Sequence, residues 1–184
     1  MKKVHLLAFA TCLCFAACNN GSDSVASSSD KDTTAASPKM TKEDKDERNK
    51  KVVMESMDAM NAHNPDNVLK NVTADGVDYG DGTMPPVKSI DSVKAGMNAF
   101  LAAFPDYKGS DLKAVSDGDQ VMVYGEWTGT FKNDFMGMKA TNKSFKVHDV
   151  DIFTVNDDGK ITSHRNVTPW SAIMMQVGAK MPSK

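Results

Sequence analysis

Five polar side chains, His148, Asp149, Asp151, His164 and Asn166, crowd into the stretch SFKVHDVDIFTVNDDGKITSHRNVTPW between Ser144 and Trp170. Carboxylates and imidazoles take and give protons near neutral pH, whereas an amide holds an oxygen without titrating. Together these types offer acid-base chemistry: one group moves a proton while a donor holds an oxygen. Asp151 is the best carboxylate for this role. It stands between Val150 and Ile152, where an acid without a partner is costly. Its alternative role is to anchor Arg165 or a loop amide on an outer face. His148 and His164 have the alternative of being ordinary, partly exposed strand histidines. Tyr79 and Asp81 in VDYGDG are candidate ligand contacts or a plain turn. Trp127 and Trp170 are candidate pocket walls or core residues.

Other chemistries lack their residues. His148 with Asp149 or Asp151 offers metal-ligand types, but neither a His-x-x-x-His pair nor a cysteine pair accompanies them, so no metal site is expected. NDDGK is far short of a calcium loop, and Met54, Met57 and Met60 recur at helical spacing that suits packing rather than copper. No cofactor is expected, since no glycine-rich phosphate loop is present.

The polar cluster needs two strands to carry it. SFKVHDVDIFTV and KITSHRNVT alternate with period two and meet at NDDG, a hairpin turn by composition. YKGSDLKAV and QVMVYGEWTGTF, joined by SDGD, make a second hairpin, and DGVDYGDG contains a further short strand. Strict alternation places Thr162, His164, Asn166 and Thr168 opposite Ile161, Arg165 and Val167. On the preceding strand Asp149, Asp151, Phe153 and Val155 oppose His148, Val150, Ile152 and Thr154. Both faces are partly apolar, so the pattern leaves open which of them is inward.

Helices account for the rest. Thr41 is placed to cap a helix that runs through Val53, Met57 and Met60 to Asn64-Pro65, with one more turn in PDNVLKNVT. Ser89 or Asp91 caps another, with a stripe of Val93, Met97, Phe100, Leu101 and Phe104 ending at Pro105. A last helix starts at Pro169 and ends near Gly178. The order predicts an α+β cone: helices on a bent, mainly antiparallel sheet, enclosing a cavity.

The first residues, MKKVHLLAFATCLCFAAC, join two lysines to an apolar run too short to span a bilayer. FAAC resembles the lipobox of bacterial lipoproteins, which implies lipidation at Cys18. The expected organisation is a signal peptide over 1–17, the lipidated Cys18 with a polar tether over 18–40, and one domain over 41–184. The expected location is the cell envelope, on the periplasmic side of the outer membrane, with the membrane held through the lipid. All three cysteines precede the domain, so neither disulfide nor thiol chemistry is available to it. Removing Lys2 and Lys3 leaves 20 basic against 24 acidic side chains, and nucleic acid is not an expected partner.

FPD at Phe104 to Asp106, the hairpin Gly118-Asp119, GTF…FMGM from Gly129 to Met138, VDIF from Val150 and DGKI from Asp158 resemble the SnoaL-like ester and polyketide cyclases of the nuclear transport factor 2-like superfamily. The likeness runs from about Val52 to Gly178. It implies the cone fold and a general acid-base Asp, assisted by a His, for aldol ring closure. Where relatives often carry EHW after GKI, this chain reads SHRN. The resemblance therefore retains His164 and puts Asn166 where the Asp is expected. The implied catalytic set is Asp151, His164 and Asn166, with Tyr79, Asp81, Trp127, His148 and Trp170 around a small apolar or carbonyl-containing ligand. Two further readings use the same fold: a non-catalytic binding module, and a subunit that homodimerises through its sheet.

Overall fold

The computed structural model describes residues 40–180; the signal, Cys18 and most of the tether lie outside them. Helix α1, Lys42–Asn61, opens on a capping box in which the Thr41 hydroxyl accepts from the Asp44 N–H and the Asp44 carboxylate accepts from the Thr41 N–H. Asn64 caps the short α2, Pro65–Leu69. Strand β1, Val72–Asp78, then leads to α3, Ile90–Ala103, capped by Ser89. Four strands follow: β2 Lys108–Asp117, β3 Gln120–Thr130, β4 Ser144–Val155 and β5 Ile161–Asn166. Helix α4, Trp170–Val177, ends at Gly178 with φ +66, the left-handed conformation that glycine adopts at no steric cost.

The sheet order is β1-β5-β4-β3-β2, and β2 to β5 form a continuous antiparallel run. The edge strand β1 pairs parallel to β5, with Asp78 opposite His164. Sequence patterning did not assign β1 a partner, because α3 and three strands separate it from β5 along the chain.

The helices cover the inner face at its two ends. One core gathers Phe104, Phe131, Phe145 and Met174, with Phe104 stacked on Phe131 at 5.2 Å. The other joins Val53 of α1 to Val121, Val123, Val155 and Ile161. On the uncovered outer face, Met122 and Tyr124 of β3 remain exposed. Between the two cores the inner layers do not meet, and a cavity of about 480 Å³ remains.

Two departures from simple patterning matter for that cavity. First, β5 carries an extra residue: Ile161 pairs with Val155 and Ser163 with Thr154, so Thr162 is the bulged position. The bulge puts Ile161, His164 and Asn166 beside Val155, Phe153 and Asp151, whereas strict alternation sets Ile161 opposite His164. Second, Pro169 occupies the N-cap of α4 rather than its first turn and offers no side-chain cap. Asp81 replaces it from the β1–α3 loop, accepting the Trp170 N–H at 2.6 Å.

Candidate functional site

His164 is the centre of the cavity's polar floor. Its position on β5 places it between β1 and β4, and each neighbour presents a carboxylate to one ring nitrogen. Nδ1 lies 3.0 Å from Asp78 Oδ1, and Nε2 lies 3.1 Å from Asp151 Oδ1. Burial pushes the His164 imidazole down, but hydrogen bonds and charge from Asp151 and Asp78 outweigh it and raise its pKa to about 10. Burial pushes the Asp78 carboxyl up, yet the hydrogen bond and charge of His164 and the Gly80 N–H leave it below its ordinary value. At neutral pH the array is carboxylate, imidazolium, carboxylate. Both ring nitrogens then donate, so His164 has no lone pair for a metal or a substrate proton.

Asp151 is only 9% exposed and lines the cavity. It faces His164, not Arg165 or an outer-face amide; Arg165 instead lies over the Tyr79 ring at 4.9 Å. Asn166 is the cross-strand neighbour of Asp151 and also lines the cavity. Its amide donates to the Thr168 carbonyl at 2.7 Å, which uses one of its two N–H bonds. Asp149 also reaches the inner face, where Oδ1 accepts the N–H groups of Val150, Val167 and Thr168 at 2.7 to 3.1 Å. That carboxylate fixes the chain's exit from β5.

Of the expected ligand contacts, Tyr79, Asp81, Trp127 and Trp170 all line the cavity. Asp81 sits at its rim with both oxygens engaged, one by Thr83 and the other by Trp170. The buried Trp170 Nε1–H has no acceptor among the described residues. His148 is placed differently from the sequence expectation. It lies on the outer face opposite Glu126, stacked against Tyr124 at 5.8 Å, because strand alternation directs it away from Asp149 and Asp151.

Two lining residues escaped the sequence reading. Asp78 closes the strand VTADGVD and meets His164 only through the parallel β1–β5 pairing. Tyr107, just before β2, is half-buried beside Phe100. Burial pushes its phenol well above the ordinary range, and the charges of Asp151 and Asp149 add to the shift. Tyr107 is thus a neutral O–H donor at neutral pH. Its only sequence signal is its place in FPDY, two residues after Pro105 and directly before the strand that starts at Lys108.

The arrangement is a largely apolar, partly open cavity whose lining includes carboxylates, an imidazolium and hydroxyl and amide donors. Solved structures with the same architecture place it among known folds. The chain is similar to a protein assigned as a SnoaL-like polyketide cyclase from Jannaschia sp. CCS1, at 21% identity over 80% of this chain and 99% of the other, with TM-score 0.67. It is also similar to AclR from Streptomyces galilaeus, assigned as a hydroxylase, at 27% identity over 74% of this chain and 98% of that one, with TM-score 0.62. A protein with a ketosteroid isomerase-like fold from Catenulispora acidiphila DSM 44928, in complex with trimethylamine, matches at 18% identity over 69% of this chain and 92% of that one, with TM-score 0.59. No curated protein matches significantly. The family model for SnoaL-like polyketide cyclases matches residues 51–177, which span the helices, strands and cavity wall described above, and the chain belongs to that family.

Proposed function

We propose that this chain is a lipid-anchored, periplasm-facing SnoaL-like domain that binds a small, largely apolar carbonyl compound and moves a proton α to its carbonyl. The observation that carries the reading is the Asp78–His164–Asp151 array on the wall of a largely apolar cavity. Asp151 is the base. Its carboxylate takes the α-proton and the C–H electron pair becomes the enolate; in an isomerase-type step the proton returns to another carbon, and in a cyclase-type step the enolate carbon bonds to a second carbonyl carbon of the ligand, whose π pair becomes an alkoxide that takes the proton. His164, donating to both carboxylates, positions Asp151 and keeps its charge in place. The Tyr107 hydroxyl and the second N–H of Asn166 are the donors to the developing oxyanion. Asn166 cannot itself carry the proton.

The test follows exchange of α-protons of 2-tetralone, a small enolisable ketone, into deuterated water by NMR. The wild-type protein should accelerate exchange, and Asp151→Asn should lose on the order of a hundredfold or more. Asn166→Asp adds a titratable group on the same wall and should raise the exchange rate. If Asp151→Asn binds the ketone and exchanges it as the wild type does, the proton-transfer reading fails and a non-catalytic binding module replaces it.

A further inference from the structure

The cavity's charge is one-sided. Four carboxylates line it, from Asp78, Asp81, Asp149 and Asp151, against one imidazolium, His164, and no lysine or arginine is among the lining residues described. The partners of these acids do not restore the balance. Asp78 and Asp151 share the single positive charge of His164. Asp149 is held by neutral backbone N–H groups, and Asp81 by Thr83 and a helix N–H. Arg165 is spent outside the lining, over the Tyr79 ring.

A second, independent feature points to the same ligand property. Rings from Phe100, Tyr107, Trp127, Phe135 and Trp170 line the space, and four of them form one contact group, with Phe100 meeting Tyr107, Phe135 and Trp170 at centroid distances of 4.9 to 6.3 Å. Aromatic faces carry negative potential and attract a cation, more strongly where water is excluded. Asp151 adds a directional element. It is 9% exposed, Oδ1 is engaged by His164, and Oδ2 accepts no hydrogen bond among the described residues.

From this combination we infer that the cavity selects a carbonyl compound bearing a positively charged nitrogen, as an ammonium or quaternary amine. The inference rests on the carbonyl-binding reading and adds the ligand's charge to it. A neutral ligand gains apolar burial and the hydrogen bonds to its carbonyl but nothing from the acids, and an anion is repelled by the uncompensated carboxylates. A cation gains from both the rings and the acids.

Three matched 2-tetralones test this, carrying at C6 a trimethylammonium group, the isosteric tert-butyl group, or a carboxylate. NMR titration of the protein at fixed ionic strength gives each Kd. The trimethylammonium compound should bind at least about tenfold tighter than the tert-butyl compound, and the carboxylate should bind more weakly than either. Equal or tighter binding of the tert-butyl compound, or tightest binding of the carboxylate, overturns the charge preference and leaves the carbonyl-binding reading standing. Failure of all three to bind overturns both.

Discussion

His164 carries more consequence than any other single side chain described. Two carboxylates hold its pKa at about 10 in the folded state, against about 6.5 for a free imidazole. Between these values the folded protein binds one more proton than the unfolded chain. Stability therefore falls as pH rises through this window, with a slope of at most about 1.4 kcal/mol per pH unit for one proton. Below pH 6.5 the contribution is fully present. Asp78 works in the opposite direction: its lowered pKa contributes stability above its unfolded value near 3.8 and loses it as pH falls further. Thermal unfolding followed across pH should show a plateau between these limits and an alkaline decline. In His164→Asn the decline between pH 6.5 and 10 should shrink; an identical slope in the variant would mean that the array does not hold the proton. NMR titration of the His164 ring in Asp78→Asn should also show a pKa well below the wild-type value, since one of its two anionic partners is gone.

At the scale of elements, α1 acts as a clamp on the two hairpin turns that define the sheet. Asn49 is fully buried and donates to the Gly118 carbonyl of the β2–β3 turn at 2.8 Å. Arg48 donates to Asn49 and to the carbonyls of Asn156 and Asp157 in the β4–β5 turn. One helical turn thus ties both hairpins to the helix that roofs the cavity through Met57 and Met60. Asn49→Ala leaves a part-buried carbonyl and part of a guanidinium without their protein partner, and should cost about 1–2 kcal/mol. Denaturant unfolding should show a lower midpoint with an unchanged slope. Ketone binding at temperatures where the variant is folded should stay near wild type, because Asn49 does not line the cavity.

For the whole molecule, the proposed attachment is through lipid on Cys18, outside the described residues. Among the described residues no helix is long and apolar enough to cross a membrane. Metabolic labelling with a radioactive fatty acid should mark the wild type and not Cys18→Ala, and the variant should leave the membrane fraction. Retention of Cys18→Ala with membranes would sink the lipid-anchor proposal. Deleting residues 20–38, a polar tether of the kind that buries little apolar area, should shift the melting temperature by no more than about 1 °C on the scale of a few degrees per kcal/mol.

The sequence by itself determined the elements and their class. Capping residues Thr41 and Ser89, the stops at Pro65 and Pro105, the glycine at position 178 and the period-two runs of β2 to β5 are local signals, and local sterics and hydrogen bonding act on them directly. It also put Asp151 forward, because an acid within an apolar strand demands a partner, while the family resemblance put forward His164 and Asn166. Which partners, and on which face, was a tertiary matter. The parallel pairing of β1 with β5 brought Asp78 to His164 across 86 positions of chain. The bulge at Thr162 changed the side on which Ile161 lies, and a shift of one residue reverses every later side chain in a strand. Packing of α3 against the sheet enclosed Tyr107 and the aromatic walls. The charge excess of the cavity exists only once those separate segments close around one space, since no single stretch of the chain contains it.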